Sequence, residues 1–240
     1  MVGLERQDLG GKMDITLFYQ EKGSNEPFIL LHGNGEDSTY FKHQIDYFSS
    51  EYRVIAVDTR GHGKSQRGTA PFTIKQFAKD LNDFMCSLQI DKAIILGFSD
   101  GANIAMEFAL KYPKKVKALI LNAGNINPRG VKSIVQIPII IGYKITKIFA
   151  LKSSWAKKKS ELLGLMVNEP NIKPMELSKI VVPTLVICGT RDMIKRSHTI
   201  EIAKSIPNAR LSIINGNHFI ANKKYHNFNK KVKSFLKTIK

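Results

Sequence analysis

The segment formed by residues 93–111 reads AIILGFSDGANIAMEFALK, and it predicts a buried strand, a tight turn and a helix in direct succession. Its apolar residues 93–96 run without alternation, as in a strand buried on both faces, and helical spacing begins near Ala102. Between them Ser99 stands in the pattern G-x-S-x-G, whose two glycines let strand and helix approach closely. A serine in this turn projects its hydroxyl above the sheet, beside a helix N-terminus that favours developing negative charge. Ser99 is therefore the candidate nucleophile.

Similar apolar runs recur along the chain and alternate with helix-length amphipathic segments. Strands are predicted at residues 28–31, 53–57, 93–96, 116–121, 184–188 and 211–214. Helices are predicted at residues 40–49, 74–88, 102–111, 198–205 and 225–238. This repetition is typical of right-handed βαβ crossovers and predicts an α/β fold with a mostly parallel, doubly wound central sheet. Residues 14–21 alternate more strongly, which predicts an antiparallel edge strand.

An insertion interrupts this rhythm, because residues 123–182 separate two predicted strands where a simple crossover needs far fewer. We interpret residues 125–178 as a helical cap inserted into a single domain that spans residues 1–240. The cap begins with an apolar stretch at 134–151, continues with a basic segment and closes with a helix near 161–167. Pro138, Lys144 and Lys147 interrupt the apolar stretch, whereas a membrane-spanning helix needs roughly 20 mostly apolar residues. No transmembrane segment is therefore predicted.

The chain is strongly basic, with 37 Lys and Arg against 20 Asp and Glu and a formal charge of +17. Such a charge attracts polyanions whatever the fold. The lysines are scattered, however, and their clusters are not interleaved with aromatic residues as in a platform that stacks bases. The composition thus predicts lysine-rich solvated helix faces and no specific nucleic-acid partner. Peripheral binding to anionic membranes through the basic helices is a separate hypothesis.

The two cysteines and the N-terminal segment indicate the cellular compartment of the protein. Cys86 and Cys188 fall in a predicted helix and a predicted buried strand, which favours reduced thiols over a disulfide or a metal site. The segment at residues 1–14 carries charges of both signs and lacks the apolar core of an export signal. We therefore predict a cytoplasmic protein.

A serine hydroxyl is a poor nucleophile at neutral pH, so Ser99 needs a base and a carboxylate that orients the base. His218 follows the last predicted strand on a loop that returns over the carboxyl edge of the sheet, which favours it over a surface or structural histidine. The other histidines lie in predicted helices or in the early half of the chain, among them His198, His226, His43 and His62.

The orienting acid is predicted to be Asp192, because it comes just after the strand at residues 184–188. Residues 122–125, at the end of the preceding strand, offer no carboxylate. The alternative role for Asp192 is that of a turn or helix N-cap aspartate.

A tetrahedral intermediate also needs two N–H donors at the point where the carbonyl oxygen becomes negative. The Asp100 backbone follows the nucleophile and can supply one of them. The glycine-rich turn at residues 32–35 follows the first predicted parallel strand, and we favour its Asn34 amide as the other. The His32 side chain is interpreted as structural.

Together these features resemble the α/β-hydrolase superfamily, from about residue 14 to the C-terminus apart from the cap. The matching motifs are His32-Gly33-Asn34-Gly35, Asp58-Thr59-Arg60-Gly61-His62-Gly63-Lys64-Ser65, the elbow at Ser99, Val182-Pro183-Thr184 with Gly189-Thr190-Arg191-Asp192, and Gly216-Asn217-His218-Phe219. The resemblance implies a triad of Ser99, Asp192 and His218, with no metal or organic cofactor. It also implies a structural turn at residues 58–65, so Asp58 and His62 stay outside the catalytic set.

The resemblance implies a serine hydrolase of the carboxylesterase kind that acts on a small-molecule acyl substrate. Relatives that open epoxides or remove halide carry aspartate where this chain has Ser99, which makes those activities unexpected. Thioesterase, lactonase, carbon-carbon bond hydrolase and cofactor-free perhydrolase chemistry stay open, as does a ligand-binding role without catalysis. The oligomeric state is not predicted.

The cap holds the clues to specificity. Its isoleucines at 134–151 could line the pocket and favour an apolar acyl group, whereas Arg129, Lys144 and Lys147 could admit an anionic substrate. The ordinary inner and outer faces of a helix explain the same pattern. None of these residues is assigned to the site.

Overall fold

Seven strands form one sheet in the computed structural model, which describes residues 14–239. The interpretation of the N-terminus as free of an export signal rests almost wholly on residues outside this range. The strands are β1 (Tyr19–Lys22), β2 (Pro27–Leu31), β3 (Arg53–Val57), β4 (Ala93–Phe98), β5 (Val116–Asn122), β6 (Thr184–Arg191) and β7 (Ala209–Asn217). The α-helices are α1 (Lys42–Phe48), α2 (Ile74–Ser87), α3 (Asp100–Lys111), α4 (Ser133–Phe149), α5 (Ser154–Asn168), α6 (Pro174–Leu177), α7 (Arg196–Ser205), α8 (Ile220–Lys223) and α9 (Tyr225–Lys237).

The strand order is β1-β3-β2-β4-β5-β6-β7, and every neighbouring pair is parallel except β1 with β3. The prediction of a mostly parallel, doubly wound sheet is confirmed. The antiparallel edge strand is also present, although it begins at Tyr19 and residues 14–18 lie outside it. Because β2, β4, β6 and β7 run in parallel, the residues that follow them share one edge of the sheet.

Each central strand is buried by helices on both faces of the sheet. On one face Ile29 and Leu31 pack in a layer with α2, α3 and α7, while on the other Phe28 and Leu30 pack with α1 and α9. Since both alternating sets of side chains are apolar, these strands read in the sequence as continuous hydrophobic runs.

Gly97 and Gly101 allow β4 and α3 to meet at the turn around Ser99. A Cβ atom on Gly101 would stand 2.0 Å from the Leu31 carbonyl oxygen, and one on Gly97 would stand 2.2 Å from the Gly101 carbonyl oxygen. These obstructions are backbone atoms that cannot rotate away. A larger residue at either position must therefore displace α3 from the sheet.

We expect Gly101→Ala to lower the free energy of unfolding by about 1–3 kcal/mol or more, the usual cost of overpacking. Gly142→Ala in α4 is the matched control, because its Cβ would meet the end of the Leu163 side chain at 3.3 Å. There alanine gains about 1 kcal/mol of helix propensity over glycine. Urea unfolding should thus give shifts of opposite sign, and a Gly101→Ala protein as stable as the wild type would contradict the close approach.

The insertion between β5 and β6 contains α4 and α5, which pack against each other. Helix α5 is tied to the rest of the molecule by an ion pair between Arg67 and Glu161 at 2.7 Å. The Glu169 carboxylate, just after α5, accepts the Ile74 amide at the start of α2. Among residues 14–239, no helix combines the length and apolar character needed to cross a bilayer.

The interpretation that the isoleucines of the cap line a pocket is wrong for five of those along α4, whereas Ile139 and Ile140 are half-buried. Ile134, Ile141 and Ile148 are 82%, 54% and 73% exposed, and Ile137 and Ile145 are also exposed. The side of α4 that packs inward carries the buried Gln136 and Thr146 together with the half-buried Val135, Ile139 and Tyr143. The apolar stripe and the buried side of this helix are therefore different faces.

Candidate active site

Ser99 follows β4 directly and has a left-handed backbone conformation, with φ 53° and ψ −117°. Such a conformation costs a residue with a side chain about 1–3 kcal/mol, and the surroundings must hold it in place. The Ser99 N–H donates to the Asn122 carbonyl at 2.8 Å, and the Ser99 carbonyl accepts the amides of Ala102 and Asn103. The turn predicted from the glycine spacing is therefore present, with its hydroxyl partly exposed.

The structure brings Ser99, His218 and Asp192 together from the ends of three parallel strands. His218 Nε2 lies 3.2 Å from Ser99 Oγ, and His218 Nδ1 lies 2.6 Å from Asp192 Oδ1. Since a carboxylate can only accept, Nδ1 carries the proton and Nε2 is left to accept from the serine hydroxyl. The three side chains form one hydrogen-bonded line, and their catalytic roles stay a prediction.

Asp192 and His218 are shielded from solvent, each with 4% of its surface exposed. Burial by itself would raise the pKa of Asp192. The hydrogen bond and charge of His218, together with the amides of Ile194 and Gly189, outweigh burial and lower the pKa below its ordinary value. Asp192 thus stays ionised and holds the imidazole in one tautomer. The Phe98 ring, 4.9 Å from the imidazole centroid, packs beside it.

The backbone amides of Asn34 and Asp100, beside Ser99, have no hydrogen-bond partner within residues 14–239. Both follow the carboxyl end of a parallel strand, β2 and β4 respectively. The Asn34 side chain donates to the Leu162 carbonyl of α5 at 2.7 Å, which connects this loop to the cap. These are the two amides predicted to stabilise the oxyanion, and that role stays a prediction.

Two side chains hold the loop that contains Asn34. His32 Nδ1 donates to the Gly33 carbonyl at 2.7 Å, and its Nε2 accepts the Thr59 amide at 3.0 Å. Burial lowers the pKa of His32, so the ring is neutral and structural. The Glu36 carboxylate accepts the Gly33 amide at 3.2 Å. No sequence motif points to Glu36, and its position immediately after the glycine-rich turn is the signal that could have identified it.

The D-x-R-G-x-G-x-S segment forms a turn stabilised by buried charges. The Asp58 carboxylate accepts the amides of Ser38 and Lys64 at 2.7 and 2.8 Å. The Arg60 guanidinium is fully buried and pairs with Asp14 and Asp80. These contacts agree with the structural role that the resemblance implies. Across residues 14–239, no cluster of three His, Cys, Asp or Glu side chains is placed to hold a metal ion.

The Asp100 carboxyl group is buried behind the nucleophile. One of its oxygens accepts from Asn103 Nδ2 at 3.1 Å, and Asn103 also donates to Asn125. Burial raises the pKa of Asp100 to about 6, although hydrogen bonds to the carboxylate oppose the shift. The folded protein therefore holds a proton on Asp100 at pH values where the unfolded chain has lost it.

This difference predicts a pH-dependent gain for Asp100→Asn, which keeps the backbone amide and the acceptor for Asn103. A raised carboxyl pKa lowers stability as pH rises from the ordinary value towards about 6, because the unfolded state binds fewer protons there. We expect the variant to gain up to about 3 kcal/mol near pH 8 and less near pH 5. Urea unfolding at both pH values measures this change in the free energy of unfolding, and Asp91→Asn, at an exposed aspartate, is the control. An equal gain in stability near pH 5 and near pH 8 would contradict the interpretation that the folded protein buries the charge of Asp100.

Sequence and structure comparisons agree on one class of protein. A family described as alpha/beta hydrolase fold matches residues 26–133. A Synechocystis protein named a non-heme chloroperoxidase is 27% identical over 84% of this chain and 87% of that protein. Some mycobacterial relatives reach 34% identity, but the chain spans only 31% of their length.

Solved structures align over nearly the whole chain. A Mycobacterium tuberculosis protein named a non-heme bromoperoxidase has a TM-score of 0.80 and 22% identity, with 95% of this chain and 98% of that chain covered. A thermophilic esterase from Thermogutta terrifontis has a TM-score of 0.78 and 23% identity, with 94% of each chain covered. At these identities the likeness concerns the fold.

Proposed function

We propose that this chain is a serine hydrolase of the α/β-hydrolase superfamily that cleaves a carboxylic ester or a related acyl bond, and the family match at residues 26–133 and the shared fold support this. The observation that supports this most strongly is the continuous line from Asp192 Oδ1 through the His218 ring to Ser99 Oγ. Such a line activates a hydroxyl that is otherwise a poor nucleophile. The bond specificity is part of the proposal.

The reaction would proceed in two halves on these residues. Ser99 Oγ attacks the acyl carbon while His218 Nε2 takes its proton, and the amides of Asn34 and Asp100 stabilise the oxyanion. His218 then returns the proton to the departing alcohol, which leaves an acyl ester on Ser99. In the second half water attacks that ester while His218 Nε2 takes a proton from the water, and His218 then gives this proton to Ser99 Oγ as the acid departs. Asp192 remains ionised throughout and stabilises the protonated imidazole.

A second candidate uses the same acyl-enzyme with another acceptor. If hydrogen peroxide attacks the acyl group instead of water, the products are a peracid and free Ser99. A peracid oxidises halide and becomes a carboxylic acid, which is a haloperoxidase reaction without haem. Two of the proteins most similar to this chain carry haloperoxidase names, which supports this alternative.

The deciding experiment combines an active-site probe with a substrate panel. We expect a fluorophosphonate to label the folded wild-type protein at one serine. We also expect hydrolysis of at least one member of a panel of esters of graded chain length, thioesters and lactones. Peracid formation from acetate and hydrogen peroxide, measured in parallel, separates the two acceptors. A folded protein that neither labels nor hydrolyses would contradict catalysis and favour a ligand-binding role.

A further inference from the structure

Helix α4 exposes a continuous apolar stripe, whereas an ordinary amphipathic helix on a globular protein exposes polar residues. Among the large apolar residues that are exposed within residues 14–239, eight fall between residues 134 and 155. We call them the apolar face of the cap: Ile134, Ile137, Ile141, Ile145, Ile148, Phe149, Leu151 and Trp155. The first five recur at intervals of three or four residues, which places them in one stripe along the helix.

Two polar residues of α4, Gln136 and Thr146, are buried on the side of the helix away from this stripe. Gln136 is buried and its Nε2 donates to the Met166 carbonyl of α5 at 2.9 Å. Thr146 is buried and its hydroxyl donates to the Gly142 carbonyl at 2.8 Å. The burial of these two side chains and the bond from Gln136 to α5 set the rotation of the helix, so the five isoleucines of the stripe are held outward. An exposed apolar patch of this kind marks an interaction surface.

The charge around the apolar face has one sign. Residues 132–159 contain seven lysines and no aspartate or glutamate. Lys144, Lys147 and Lys152 each lie next to an exposed apolar residue in the sequence and are themselves exposed. None of these three pairs with a carboxylate in the described part of the chain. The partner must therefore accept an apolar stripe and many positive charges together.

We propose that the apolar face of the cap docks on the surface of an anionic lipid bilayer. A helix lying in the interface buries apolar side chains at the boundary of head groups and acyl chains, while flanking lysines meet anionic head groups. A second copy of this chain fits less well, because a two-fold interface would oppose two sets of like charges. The inference is independent of the proposed function, since no step in it involves Ser99.

Vesicle binding tests this directly, and the protein has its own reporter. Trp155 is the single tryptophan of the chain and is exposed beside this face. We expect the full-length protein to float with vesicles of phosphatidylcholine and phosphatidylserine in equal amounts, with a blue shift of Trp155 emission. Phosphatidylcholine vesicles alone should bind far less, and raising the salt to about 1 M should weaken binding to the mixed vesicles.

Two variants separate the apolar and charged parts of the surface. Ile141→Glu with Ile145→Glu should lower the partition coefficient more than about 100-fold, because it places charge where burial is required. Lys144→Gln with Lys147→Gln and Lys152→Gln should lower it about 100-fold, from roughly fivefold for each lysine. The controls are Met175→Glu, at another exposed apolar residue, and a triple Lys→Gln change at Lys230, Lys231 and Lys237 of α9. Both controls should bind as the wild type does, and Ser99→Ala should too.

The outcomes that overturn the proposal are specific. Equal binding to both kinds of vesicle, or binding unaffected by the two cap variants, would exclude this face as an anionic-lipid site. Sedimentation velocity without lipid tests whether a second copy of this chain binds the apolar face of the cap. A wild-type dimer that the isoleucine variant converts to a folded monomer, without vesicle binding, would assign the face to self-association instead.

Discussion

Replacement of Ser99 by alanine is expected to lower kcat by roughly 10⁶-fold for any substrate that the wild type hydrolyses. The hydroxyl is the only group of the hydrogen-bonded line that can form the acyl-enzyme, so no neighbour replaces it. The measurement is steady-state hydrolysis together with the mass of the protein after fluorophosphonate treatment. The mass increment seen in the wild type should disappear, and thermal unfolding should show that the variant is folded.

The matched control for that experiment is Ser234→Ala, on the exposed side of α9. This variant should keep both the hydrolysis rate and the mass increment. Residual labelling of Ser99→Ala at the wild-type rate would show that another serine is the reactive one, and the assignment of the nucleophile would be wrong.

The second large effect is expected for Asp192→Asn, with a fall in kcat of roughly 10⁴-fold, the order of loss seen when the orienting aspartate of a serine protease is replaced. An asparagine can donate to His218 Nδ1, which favours the tautomer with its proton on Nε2 and removes the acceptor for Ser99. No other carboxylate can take over from the neighbouring strand end, where Ala123, Gly124 and Asn125 follow β5. KM should change much less than kcat.

A structural role for Asp192 predicts a different result. Its carboxylate also accepts the amides of Gly189 and Ile194, so the substitution costs some stability. We therefore expect the rate of fluorophosphonate labelling to fall with kcat in protein that is still folded by circular dichroism. Labelling at the wild-type rate in a folded Asp192→Asn protein would contradict its assignment as the orienting acid.

The sheet could be predicted from the sequence because its signals are local. Residues 93–96 and 53–57 are apolar on both alternating faces, and the structure has strands there, with β3 at the predicted bounds. Strand β6 extends to Arg191, three residues beyond the prediction, through an irregular stretch paired with β7. The extension was not predictable from hydrophobicity because Gly189, Thr190 and Arg191 are held by pairing with a distant strand rather than by apolar burial.

The residues of the candidate site could likewise be predicted from the sequence where they follow the ends of strands. Ser99, Asp192 and His218 each come directly after a parallel strand, so topology alone brings them to one edge. The contacts of the cap could not be predicted from the sequence in this way. The bond from Asn34 to Leu162 joins residues 128 positions apart, and nothing local marks either partner. The exposure of five α4 isoleucines could not be predicted for a related reason. The spacing of apolar residues locates a stripe on a helix but does not show whether another element covers it.

The left-handed backbone of Ser99 also affects how the molecule should respond to heat. A conformation that local forces disfavour persists only while the hydrogen bond to Asn122 and the packing of α3 on β4 hold it there. We therefore expect the backbone conformation of Ser99 to be lost at a lower temperature than the sheet. Local relaxation of this one turn would abolish the proposed activity of Ser99 while most of the secondary structure is retained.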